Sequence, residues 1–225
     1  SSGLSVDPEH LAPYRSFYAS IEKRMLFFPQ YYRFLLSITQ DLEALGLARG
    51  KAVPLANWVD AQSLVSAELS DLQRAEANRL LRRGGLKIAS REDGLNERLH
   101  RFINHSQTFA VPNKKAAYEL THIVFYLSEY GHQDPKISAA ALISLEFAGL
   151  LALLDQNVDL LSEICIAMRF AGGIPPSEWE AWIAKELGDY QISECANGAV
   201  QDDYHSYFMC NWLAALCGSP VFQGK

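Results

Sequence analysis

Apolar positions recur along this chain at helical spacing almost throughout. Leu11, Tyr14, Phe17, Tyr18, Ile21 and Met25 form an i, i+3, i+4 stripe. Pro29 stands where a second helix opens. That helix runs through Tyr32, Leu35, Leu36, Ile38, Leu42 and Leu45 and stops at Gly46. Pro54 opens another turn, and Trp58 to Arg83 reads as one long helix ended by Gly84-Gly85. A weaker helix over Leu95 to Gln107 follows. Further helices are predicted over Lys114 to Tyr130, Lys136 to Leu154 and Val158 to Phe170, around Trp179 and Trp182, and over Asp202 to Leu216. No segment alternates as a strand would. The expected class is all-α, as one domain over 1–225 with a weaker loop region at about 84–112. The core is expected to take Ile123, Phe125, Leu127, Leu142, Leu145, Leu150, Leu153, Ile164, Met168, Leu213 and Leu216.

Glycines follow the predicted helices at positions 46, 85, 131, 173 and 218, at intervals of 39, 46, 42 and 45 residues. Such a period matches one helical hairpin, the unit of repeat folds. Glycine also ends helices in any bundle, because the left-handed conformation costs it nothing. The degenerate, strongly apolar texture favours hairpin repeats curved into an α/α-toroid-like ring or partial ring over an open solenoid.

Three blocks, AYELTHIVFYLSEYG, DLLSEICIAMRFAGG and DDYHSYFMCNWLAALCG, resemble an uncharacterised bacterial helical family with T-H-x-x-F-Y-L, D-L-L-x-E-L and Y-H blocks. The resemblance covers roughly the last half of the chain. It implies an α/α-toroid-like domain and makes Thr121-His122, Glu163 and Tyr204-His205 the motif residues. The chain departs from the family pattern at Ser128-Glu129-Tyr130 and at Ser206-Tyr207.

Hydrophobic residues make up 49% of the 225 positions and charged residues 20%, the balance of a folded protein. The formal charge of −6 disfavours a broad hold on nucleic-acid phosphates. No apolar run reaches the ~18 residues of a membrane span. Ser1 to His10 lacks the basic and apolar regions of a signal peptide, so a cytoplasmic protein with no membrane partner is expected. The four cysteines form no C-x-x-C pair, and Cys195 in a polar loop reads as an inert thiol. Phosphate-loop, dinucleotide and nucleophile-elbow motifs are absent.

His122, Glu163 and His205 lie nine, ten and thirteen residues before their glycines, which puts them in similar register on three helices. Two histidines and a carboxylate are a ligand set for a divalent metal such as Fe or Zn. Glu119 and Asp203 are the other candidate carboxylates; Glu119 and Asp202 sit at i−3 from the two histidines. Tyr118, Tyr126, Tyr204 and Tyr207 are the candidate substrate-binding residues, lining an apolar cup with polar tips. Three readings follow: a metal-dependent enzyme for a small or peptide-like substrate, a non-catalytic helical protein that binds a peptide or protein, or a di-iron carboxylate oxidase using Glu68 and Glu146 as well. A histidine satisfied in the core is the plain alternative for each imidazole.

Overall fold

The computed structural model describes residues 6–88, 94–191 and 204–222. Among them every regular element is helical, and no helix is long and apolar enough to cross a membrane. Asp202, Asp203 and Cys195 lie outside the described residues. The chain groups into two compact units, Ser1–Asn96 and Glu97–Lys225. The division falls inside the weaker region at about 84–112.

The first unit holds α1 (Pro8–Leu11), α2 (Arg15–Phe27), α3 (Tyr32–Ala44), α4 (Ala52–Ala61) and α5 (Asp71–Arg83). Helix α3 packs against α2, α4 and α5. Their apolar faces bury Ile21, Met25, Leu36, Ala56, Val59, Ala77 and Leu81. Each of the larger chains is worth ~1.5–3 kcal/mol when removed from water. Glu43, near the end of α3, accepts from the backbone N–H groups of Lys51 and Ala52 and so satisfies donors that start α4.

One element differs from the pattern. The helix expected over Trp58 to Arg83 is broken after Ala61. Ser63 adopts a left-handed φ of 55°, a 3-10 turn spans Leu64–Ala67, and Glu68 is extended. The break lets the Glu68 side chain meet Arg33 at 2.9 Å while its carbonyl accepts from Arg74. Periodicity carries no record of such cross-chain bonds.

The second unit holds all but the first two residues of α6 (Leu95–Ile103), together with α7 (Lys114–Leu127), α8 (Ala139–Leu154), α9 (Val158–Phe170), α10 (Ser177–Asp189) and α11 (Tyr204–Leu216). Its centre is α9, which packs against α7, α8, α10 and α11. Nine consecutive residues of α9, Leu160 to Met168, are buried, as a helix enclosed on all sides requires. Side-chain caps start three of these helices: Asn113 accepts from Ala116, Ser138 from Ala141 and Asn157 from Leu160. Gly149 allows the close packing of α8 on Trp179, whose ring occupies the space a Cβ would need.

Of the expected core, Ile123, Phe125, Leu145, Ile164, Met168 and Leu213 are buried. Leu127, Leu142 and Leu153 are half-buried. Leu150 and Leu216 are exposed. Helix α8 is apolar on nearly every face, so its sequence does not mark which face turns inward.

Three of the five spaced glycines, Gly46, Gly85 and Gly218, keep their stops; after α9 the stop is Gly172, one residue before Gly173, and after α7 it is not a glycine. Gly46, Gly85, Gly172 and Gly218 each take a left-handed φ directly after α3, α5, α9 and α11. Each lies in a pair of backbone bonds of the Schellman type, such as Gly173 N–H to Met168 C=O with Gly172 N–H to Arg169 C=O. After α7 the left-handed residue in the equivalent bonds is Glu129, two before Gly131. Gly131 serves a different end: a Cβ there would stand 2.5 Å from the Phe170 ring.

Candidate metal centre

Three helices of the second unit supply the cluster. Asp159 and Glu163 lie one turn apart on α9. Tyr118, Thr121 and His122 share a face of α7 at i, i+3, i+4 spacing, and His205 opens α11. Because α9 packs against both α7 and α11, the acids meet side chains from each.

Asp159 occupies the first turn of α9, where the helix dipole favours a negative charge. Both of its oxygens are engaged. His205 Nδ1 lies 2.6 Å from Oδ1, and the Tyr118 hydroxyl donates to Oδ2 at 2.7 Å. Burial raises the Tyr118 pKa, and Asp159 raises it further, so the phenol stays a donor. With its Nδ1–H turned to Asp159, His205 is neutral in the Nδ1–H tautomer or charged, and Nε2 is its other ring nitrogen.

Glu163 is the buried acid of the group, with 1% of its side chain exposed. Its Oε2 lies 2.6 Å from Thr121 Oγ1 and 3.8 Å from His122 Nε2. Burial pushes its carboxyl up to about 7; Asp159 adds to the rise, while Thr121 and His205 oppose it. The Thr121 hydroxyl also lies 2.9 Å from the Tyr118 carbonyl. One hydroxyl has one proton to give. When Glu163 is protonated, its O–H can donate to Thr121 while Thr121 donates to the carbonyl, and both contacts are satisfied. When Glu163 is ionised, Thr121 must turn its proton to the carboxylate and leave the carbonyl.

His122 is partly exposed and stacks on Tyr126, with centroids 6.2 Å apart and planes at 20°. Burial lowers its pKa below the ordinary histidine value, and the His205 charge lowers it further against the pull of Asp159. The neutral ring that results is the form able to ligate a metal.

Asp159, Glu163 and His205 each offer one ligand atom within 4.8 Å of the others, and they are the one such group of three among the described residues. A family described as a domain of unknown function, DUF6902, matches residues 1–225. The chain belongs to the DUF6902 family. No curated protein and no solved structure matches it.

The sequence-derived candidates of this DUF6902 chain fall in several places. Glu163 and His205 lie in the group of three, with His122 at its edge. Glu119 stays outside the group, and Asp203 is outside the described residues. Tyr118 holds a carboxylate by hydrogen bond. Tyr126 backs His122. Tyr204 is exposed beside Phe208, and Tyr207 packs among Tyr190, Phe208 and Phe222. Glu68 is engaged by Arg33 in the first unit, and Glu146 is exposed on α8.

Sequence reasoning missed Asp159 as a site residue. Its signal was present in DLLSE, where an acid precedes Glu163 by four residues and so shares its helix face. The convergence also has another cause than glycine register. Counted from the left-handed residues Glu129, Gly172 and Gly218, the three candidates lie seven, nine and thirteen residues back. They approach one another because α9 lies against α7 and α11.

Proposed function

We propose that this protein is a metal-dependent enzyme, with a divalent transition ion such as Fe or Zn held by Asp159, Glu163 and His205. The observation that carries the reading is the approach of these three ligand atoms to within 4.8 Å. The electrostatics support it. Two carboxylates lie one helical turn apart against the Tyr118 and Thr121 hydroxyls and the His205 and His122 imidazoles, and a cation relieves the cost of ionising buried Glu163. His122, kept neutral beside Glu163, is a further ligand or a proton acceptor next to the ion. Thr121 and Tyr118 orient the two carboxylates, as second-sphere donors do at metal sites.

The substrate in this reading is small or peptide-like. It meets Tyr126 and the neighbouring ring of Tyr130. The reading does not depend on the hairpin ring expected from glycine spacing. A central helix flanked by four others suffices to bring α7, α9 and α11 together.

Elemental analysis of protein purified without chelator, followed by calorimetric titration of chelator-treated protein with Zn²⁺, Mn²⁺ and anaerobic Fe²⁺, tests the proposal. One ion per chain is expected, with uptake lost in His205→Ala and Glu163→Gln at unchanged helical content. Affinity should rise as pH passes through about 7, because Glu163 must release its proton to ligate. Absence of uptake for all three ions removes the enzyme reading and leaves the helical binding protein.

A further inference from the structure

The turn between α2 and α3 gathers large apolar side chains that the described residues leave largely exposed. Phe27 is 76% exposed, Leu26 63%, Phe34 61%, Tyr31 58% and Phe28 42%. They stand next to an apolar groove of about 270 Å³ lined by Phe17, Arg24, Phe28, Tyr31, Phe34 and Leu35. Scattered exposed apolar residues are ordinary on a protein surface, whereas five within nine positions at one helix corner are a patch.

The charges around the patch select its occupant. From Lys23 to Gln40 the chain carries Lys23, Arg24 and Arg33 and no acid, in a protein whose formal charge is −6, and the acids at its borders, Glu22 and Asp41, are paired with Lys51 and Arg83. Arg33 is neutralised by Glu68 and Glu76. Lys23 and Arg24 have no carboxylate partner among the described residues. The Arg24 guanidinium bonds Ser20 and lies over the Phe17 ring, 5.2 Å from its centroid. Both cations sit one helical turn before the exposed rings, on the same side of α2.

We propose that this corner docks on an anionic lipid bilayer surface. Leu26, Phe27, Tyr31 and Phe34 enter the boundary between headgroups and acyl chains, Lys23 and Arg24 meet the lipid phosphates, and the groove takes an acyl segment. A bilayer is deformable, so it receives rings that protrude to different extents. Aliphatic and aromatic side chains flanked by Lys and Arg are the composition of interfacial elements. No membrane-spanning helix is needed, so the sequence-based expectation of no membrane partner is replaced on this surface alone.

Co-sedimentation of the full chain with phosphatidylcholine vesicles, and with vesicles containing about one third phosphatidylglycerol, tests the proposal. Binding is expected to the anionic vesicles and to weaken with added salt. Phe27→Ala/Phe34→Ala should lower it by roughly tenfold or more. Lys23→Glu/Arg24→Glu should remove the preference for anionic lipid, at a loss of about tenfold or more. All four side chains are exposed, so unchanged circular dichroism is expected for both variants. Absence of binding to either vesicle overturns the proposal, as does binding that neither variant weakens. Light scattering provides a further check. A dimer that Phe27→Ala/Phe34→Ala dissociates, in protein that ignores vesicles, overturns it in favour of a second copy as occupant.

Discussion

Each unit contains a group of acids gathered by tertiary packing, and the two groups differ in what faces them. In the first unit Glu68 and Glu76 meet the guanidinium of Arg33, and Glu68 holds it at 2.9 Å. Burial opposes the charge on Arg33, but Glu76 and Glu68 outweigh it and raise its pKa. A permanent cation fills the space between the acids, so that group is complete. In the second unit Asp159 and Glu163 meet a phenol, a hydroxyl and two imidazoles, none a permanent cation. Glu163 responds by holding its proton up to about 7. Similar acids thus give a closed ion-pair network in one unit and a proton- or cation-seeking pocket in the other.

The strongest test of the contrast is metal uptake. Glu163→Gln and His205→Ala should each lower affinity for a bound divalent ion by about 100-fold or more, since each removes a ligand. Arg33→Ala should leave that affinity unchanged while disturbing the other acid group. Equal loss in all three variants, read by calorimetry, would show that uptake reports general damage.

Next in size is a pH effect on metal-free protein. Glu163 titrates at about 7 when folded and near the ordinary carboxylate value when unfolded. Between those values the folded state binds more protons, so stability falls as pH rises and the cost is fully present above about pH 7. Glu163→Gln removes the ionisable group while keeping an amide to meet Thr121. It should stabilise metal-free protein by about 3 kcal/mol at pH 8 and by little near pH 4. His122 has the opposite sign. Its folded pKa is lowered, so its contribution is present above about pH 6.5 and is lost as pH falls. Urea unfolding at pH 4, 6 and 8 separates the two, and a Glu163→Gln gain that does not change with pH would refute the assignment.

Arg33→Ala should cost about 2 kcal/mol, below the ~3–5 kcal/mol of breaking a fully buried pair, because Arg33 keeps 24% of its side chain exposed. Arg33→Ala with Glu68→Gln and Glu76→Gln should recover part of that loss, since no uncompensated acid remains. Recovery is the signature of a closed network, and its absence would mean that Arg33 acts through packing of its stem.

Much of this organisation was legible in the chain, and the exceptions share one physical origin. Helix class follows from local period, and Gly46, Gly85 and Gly218 mark stops because αL is a local demand. Long-range contacts decided the rest. The break after Ala61 accompanies the grip of Arg33 on Glu68, which no window of adjacent residues contains. Leu150 and Leu216 read as core because their helices are apolar on several faces, and only the neighbours of α8 and α11 choose one. Asp159 went unread because an acid in a first helical turn already has a local reason to be there. His122, Glu163 and His205 stood out as polar groups amid apolar runs, yet glycine spacing assigned a register that α7 does not keep.

The smallest expected effect concerns Tyr118, and it sharpens the contrast at the level of a single proton. Its hydroxyl donates to Asp159 Oδ2 while His205 holds Oδ1, so the phenol fixes how the carboxylate is presented. Tyr118→Phe keeps the ring and removes that donor. Metal affinity should fall by about tenfold, the lower end for loss of a second-sphere partner. Helical content should be unchanged. If Tyr118 instead touches substrate, as its sequence position first suggested, Tyr118→Phe would leave ion affinity intact, and the calorimetric titration would show it. The matching change in the first unit is Tyr18→Phe. Tyr18 donates to Glu43 at 2.7 Å, but Glu43 also accepts from the N–H groups of Lys51 and Ala52. That carboxylate keeps its partners and its orientation, so the loss should be confined to stability, at about 1 kcal/mol for one hydrogen bond. The same chemical deletion would then alter ligand affinity in the open group and only stability at a fully partnered carboxylate.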